Sequence, residues 1–82
     1  SFPHARAATD LLLALDPSSP AELRDRGLIA YHMRDFGPAL RDLEAYLFVQ
    51  SRGGEPADDQ RDEVQQVWEH VKALRRRLAG FN

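Results

Sequence analysis

His4, His32 and His70 are the histidines of this chain, and any imidazole-based metal or acid–base chemistry would have to use them. They are far apart in sequence. His32 and Asp35 lie three positions apart near a helix end, a spacing at which both could touch a metal or a partner. A solvent-facing histidine beside a turn accounts for the same residues more simply. His70, two before Lys72, is expected beside the buried stripe of its helix.

Carboxylates occur in pairs, Asp58 with Asp59 and Asp62 with Glu63. General acid–base catalysis needs convergent carboxylates in a desolvated pocket. These stand at a helix start, where the helix dipole alone favours negative charge. Gly53-Gly54 follows no strand and lacks the Gly-Lys-Ser/Thr ending of a phosphate loop. Arg75, Arg76 and Arg77 could meet an acidic partner or RNA phosphate, but in a last helical turn they read first as a dipole cap. Trp68, with Val64, Val71 and Leu74 at helical spacing, is expected in the core. Without cysteine there is no disulfide, thiolate site or cysteine nucleophile. The residues therefore predict no catalytic set, no metal and no cofactor in this segment.

The bulk composition agrees. With 82 residues the chain is one domain at most, and a domain this small buries only about 60–65% of its unfolded surface. A formal net charge of −2 gives no basic footprint, so no nucleic-acid partner is expected. The longest apolar run, Leu11 to Leu15, is far short of the roughly 20 residues that span a bilayer, so no membrane partner is expected either. No secretory leader pattern is visible, and cysteine-free composition fits a cytoplasmic protein.

Four helices are needed to position these side chains. The first is predicted from about Pro3 to Leu15, with Ala5, Ala8, Leu11, Leu12 and Leu15 sharing one face. Asp16-Pro17 ends it. Ser19-Pro20-Ala21-Glu22 is a capping box with proline at the first helical position, and opens a second helix to about Met33 or Arg34. Its buried stripe is Leu23, Gly27, Ala30 and Tyr31. Mid-helix Gly27 forfeits about 1 kcal/mol of propensity relative to alanine, which predicts close approach of a neighbouring helix.

A turn at Arg34–Gly37 leads to a third helix, about Pro38 to Val49, with Ala39, Leu40, Leu43, Tyr46 and Leu47 on its apolar face. So short a connection forces an antiparallel hairpin. The Ser51–Pro56 stretch is read as a loop. The fourth helix starts near Asp58 or Asp59, either of which could cap it, and carries the stripe Val64, Val67, Trp68, Val71, Leu74 and Leu78. Gly80 is placed for a left-handed cap, with Phe81 folding back on the last turn.

Phe2-Pro3-His4-Ala5 and Phe36-Gly37-Pro38-Ala39 are the same pattern 34 positions apart. That spacing is the period of a two-helix repeat. Leu23 to Tyr46 resembles a tetratricopeptide repeat, with Leu23, Gly27, Ala39 and Leu43 at its signature places and Pro17 as the proline closing the preceding unit. Arg26 stands where leucine is usual, and Ser51 where a closing proline should be. A third copy would fall at His70 and Ala73, where the aromatic is lost.

Leu15-Asp16-Pro17, the run Leu23–Leu28 and the run Ala39–Leu47 also look like the C-terminal tail of bacterial SirB-type proteins. That resemblance implies a transglutaminase-like domain upstream of Ser1, with none of its site residues here.

The expected fold is all-α: residues 1–17 as the second helix of a cut repeat, 19–50 as one full repeat and 57–80 as a capping helix. The expected function is protein–protein or interdomain interaction. The alternative is an accessory tail of a transglutaminase- or protease-like enzyme. By resemblance, Arg24, Leu28, Tyr31 and His32 would line the groove that meets a partner. The family's peptide carboxyl-terminus clamp uses lysine and asparagine where Arg24 and Leu28 stand, so that clamp is not expected. Leu11, Leu12, Leu13 and Leu15 cannot all face one core, which predicts self-association or docking to an upstream domain through the first helix.

Overall fold

Where the apolar spacing is helical the chain is helical. The computed structural model describes residues 1–80 and contains α1 (Phe2–Leu15), α2 (Pro20–His32), α3 (Phe36–Arg52) and α4 (Asp58–Leu78). No strand occurs among the described residues, and none of their helices is long and apolar enough to cross a membrane. The expected fold-back of Phe81 lies outside the described residues.

Three boundaries differ from expectation. α3 begins at Phe36, because Gly37 and Pro38 fall in the first turn, where backbone N–H groups have no helical partner to lose. It continues through Ser51 to Arg52, where Gly53 ends it and Gly54 turns at φ 86°. α4 is capped by Ala57 with no side-chain bond; Asp58 and Asp59 sit in the first turn instead. The capping box is half formed: Ser19 Oγ accepts from the Glu22 N–H at 3.5 Å.

α2 packs chiefly on α3, with α1 against α2 and α4 against α3. The centre of the α2–α3 contact is Gly27. A Cβ there would lie 2.7 and 2.8 Å from Leu43 Cδ2 and Cγ and 3.2 Å from Asp42 Cβ. The glycine is thus the close-approach site its sequence position implied. Around it Leu23, Ala30, Ala39, Leu43 and Tyr46 are buried, and α4 adds Val67, Val71 and Leu74.

One residue along from Gly27, Arg26 grips Asp42 of α3 with two bonds, Nε–Oδ2 at 2.8 Å and Nη2–Oδ1 at 2.9 Å. Its third nitrogen reaches Asp10 of α1 at 3.0 Å. Hydrogen bonding to Asp42 raises the Arg26 pKa above its ordinary value; burial opposes this, and Asp10 adds to it. The arginine that departs from the family pattern therefore ties three helices together.

α1 is rotated from its predicted face. Thr9 and Leu13 are its buried residues, not Ala5, Ala8, Leu11, Leu12 and Leu15. Arg6 bonds Asp35 at 2.9 Å and Asp10 bonds Arg26, so the face carrying residues 6, 9, 10 and 13 turns inward. Thr9 keeps its hydroxyl satisfied by donating to the Ala5 carbonyl at 2.7 Å. Leu13 consequently drops out of the expected association set, being buried, whereas Leu11, Leu12 and Leu15 stay 65%, 47% and 79% exposed. Trp68 is a second correction: it is 37% exposed rather than core, because Lys72 and Arg75 lie over its ring at the surface. Leu78 is also exposed.

Two outcomes follow for stability. Gly27→Ala gains about 1 kcal/mol of helix propensity but forces overpacking against Leu43 that costs roughly 1–3 kcal/mol. The net loss of up to about 2 kcal/mol should lower the melt by circular dichroism, by about 4–8 °C for each net kcal/mol; a raised melting temperature would refute the close-approach reading. Arg26→Leu strands Asp42 and should lose about 2–3 kcal/mol, less than for a fully buried pair because water still screens Arg26. Adding Asp42→Ala should restore much of that loss, and denaturant melts of the single and double variants test it.

Candidate functional site

α2 presents Arg24, Leu28, Tyr31 and His32 on one face, at spacings of 4, 3 and 1. α4 presents Glu63, His70 and Arg77 along one line at spacings of 7. The two sets meet. Arg24 pairs with Glu63, and Tyr31 lies 5.1 Å, centroid to centroid, from His70. Farther along, Arg77 lies 4.4 Å over the Phe36 ring at the start of α3. The contacts advance in the same direction on both helices, so α2 and α4 run parallel along this seam.

The four expected groove residues differ in what they can offer. Arg24 is held by Asp25 at 2.9 Å as well as by Glu63. Burial disfavours its charge, but these hydrogen bonds and opposite charges outweigh that and raise its pKa. Leu28 packs against the core. Tyr31 is half-buried and edges onto both His32 (5.8 Å) and Phe36 (5.9 Å). His32 is exposed, with Phe2 of α1 stacked on it at 5.6 Å and 4° between planes. The seam is thus an ion pair at one end and an aromatic cluster at the other.

The aromatic end is built on an unusual turn. Arg34 has φ 61°, a left-handed conformation that glycine usually supplies. The Asp35 N–H bonds the Ala30 carbonyl at 2.9 Å and the Arg34 N–H bonds the Tyr31 carbonyl at 3.0 Å, the paired bonds of a Schellman cap. The Arg34 side chain lies 5.8 Å from the Phe36 centroid. Tyr31, His32, Arg34, Phe36 and Arg77 line one open cleft. Of these, sequence reasoning missed Arg34 and Phe36 as site residues and assigned Arg77 to the dipole cap. The signal available was Phe36 at the repeated position, preceded two residues earlier by arginine rather than glycine just past the end of α2. His32 and Asp35 do not converge as a pair, since Asp35 serves Arg6. Among the described residues no three His, Asp or Glu side chains are grouped to hold a metal.

Tyr31→Ala removes three ring contacts from a side chain packed on the core, so it should destabilise the fold by about 1–3 kcal/mol. Arg24→Ala breaks a partly exposed pair and should cost below about 1 kcal/mol. Thermal melts of both variants check this ordering, and equal losses would contradict it.

A search of curated proteins and of solved structures gives no match to the chain. The model of a family described as "Tetratricopeptide repeat" matches residues 1–78. With the parallel α2 and α4, the α2–α3 hairpin and the 34-residue echo of α1 in α3, the chain belongs to the tetratricopeptide repeat family.

Proposed function

We propose that this chain is a protein-docking module whose main contact surface is the leucine face of α1, with no catalysis of its own. The observation that carries the reading is the exposure of Leu11, Leu12 and Leu15 on one helix face, extended by Ala5 and Ala8. This is the amphipathic stripe of α1, and it points away from the core. By the 34-residue echo, Ala5, Ala8 and Leu12 correspond to Ala39, Asp42 and Tyr46 of α3. All three of those are buried. The occupant that fits the α1 stripe is accordingly an apolar helix packed antiparallel on α1, as α2 is on α3.

Burying the exposed parts of three leucines contributes on the order of 3–6 kcal/mol before the entropy of association is subtracted. Resemblance to the SirB-type tail adds a candidate source for that helix, a transglutaminase-like domain of the same polypeptide. A second copy of this chain is the other source, and a cytoplasmic setting suits either. Arg24, Leu28, Tyr31 and His32 supply a smaller, more polar contact face on the α2–α4 seam. Of these, His32 is the one exposed.

Substituting Leu11, Leu12 and Leu15 together by asparagine tests the reading. Stability read from the circular-dichroism melt should fall by no more than about 1–2 kcal/mol, the helix propensity that three asparagines forfeit, because these side chains contribute little to the core. The unaltered chain should bind an exposed-surface dye and sediment as a self-associating species at high concentration, and the substituted chain should do neither. A clean monomer with no dye binding in the unaltered chain would overturn it.

A further inference from the structure

Two arginines converge on a single ring with no ion-pair partner among the described residues. Arg77 lies 4.4 Å and Arg34 5.8 Å from the Phe36 centroid. They come from α4 and from the α2–α3 turn, so the tertiary fold, not sequence proximity, brings them together. Among the described residues, four other arginines reach a carboxylate far along the chain, Arg6 at Asp35, Arg24 at Glu63, Arg26 at Asp42 and Arg75 at Glu44, whereas Arg41, Arg52 and Arg76 form no ion pair but do not share a ring. The two over Phe36 have none there. The ring face attracts and orients both guanidiniums, and it leaves their N–H donors, five on each, exposed and open to an incoming acceptor. Both guanidiniums border the same open cleft, where their positive charges attract an anion.

Arg34 is also held against backbone preference. A left-handed residue other than glycine costs roughly 1–2 kcal/mol. Its side chain does not offset that through any ion pair within the described residues.

We propose that Arg34 and Arg77 form a carboxylate-binding site for an acidic segment of a partner protein, beside the apolar surface of Tyr31, His32 and Phe36. The inference rests on the reading of the α2–α4 seam as a partner-contact face. Phosphate of a nucleic acid is the weaker fit. Extended phosphate tracking uses many cations, and this chain carries a net charge of −2 with its remaining seam arginine, Arg24, already paired. A single acidic side chain next to an apolar one matches two arginines beside three rings. The site lies at the α2–α3 turn and the end of α4, away from Arg24 and Leu28, where the family's carboxyl-terminus clamp would be.

The test is an NMR titration of the full chain with a peptide of alternating glutamate and leucine, its glutamine counterpart, inorganic phosphate and a short polyuridine RNA. The expected result is that the glutamate peptide shifts the resonances of Arg34, Phe36 and Arg77, and the glutamine peptide does not. Arg34→Gly relieves the backbone and should melt at the same or a higher temperature while weakening glutamate-peptide binding at least about fivefold. Arg77→Gln should weaken it similarly. Equal binding of the two peptides would overturn the proposal, as would unchanged affinity in both variants. Tighter binding of phosphate or RNA would assign the site to phosphate chemistry and would also overturn it. Should the asparagine-substituted α1 lose self-association while Arg34→Gly binds the glutamate peptide normally, the docking module stands and this site falls.

Discussion

The absence of a side chain at Gly27 is the constraint on which the rest of the structure depends. It lets Leu43 of α3 sit against the α2 backbone, closer than any Cβ would permit. Close approach of two helices brings the flanking residues within bonding range as well. Arg26 and Asp42, each one position before the contact pair, are then near enough for a two-bond grip. Leucine at position 26 would add apolar area but could not reach α1. The arginine spans Asp42 and Asp10 together, so one side chain sets the spacing of α2 and α3 and the rotation of α1.

That rotation decides which surface the molecule shows. α1 has two candidate faces. One holds five apolar residues, the other Arg6, Thr9, Asp10 and Leu13. Apolar burial alone would turn the leucines inward. Instead Arg6 and Asp10, four residues apart, find charged partners on the α2–α3 turn and on α2, and Thr9 satisfies its own hydroxyl within the helix. Each of these partly exposed pairs contributes modestly. Their combined effect is geometric: both hold the same edge of α1, which leaves the leucine face pointing out.

This explains what was legible in the sequence and what was not. The hairpin was legible, since Ser19-Pro20, Gly27 and the 34-residue echo are local signals whose meaning does not depend on distant residues. The core of α4 at Val67, Val71 and Leu74 was legible from spacing. The inward face of α1 was not, because periodicity identifies an apolar stripe but cannot say whether this chain covers it. Trp68 was misplaced for a related reason: it stands at the margin of the α4 stripe, and Lys72 and Arg75 can cover its ring while it faces water. Of the cleft residues, Tyr31 and His32 were named through the resemblance to the repeat family. Arg34, Phe36 and Arg77 were not, because they meet only after α4 has been laid parallel to α2.

The same parallel alignment accounts for the character of the seam. In a hairpin repeat each first helix must lie beside the next, so residues seven apart on α2 face residues seven apart on α4. Here Arg24 opposes Glu63 and Tyr31 opposes His70, pairs that match in charge or shape without burying much apolar surface. The seam is therefore held mainly by α3 beneath it, to which both helices are anchored through Leu43 and its buried neighbours. A surface fixed from below and only lightly bonded along its own length can keep its side chains in place and still leave them open to a ligand. The left-handed turn at Arg34 belongs to that arrangement: the Schellman bonds lock the backbone, and the side chain remains at the mouth of the cleft.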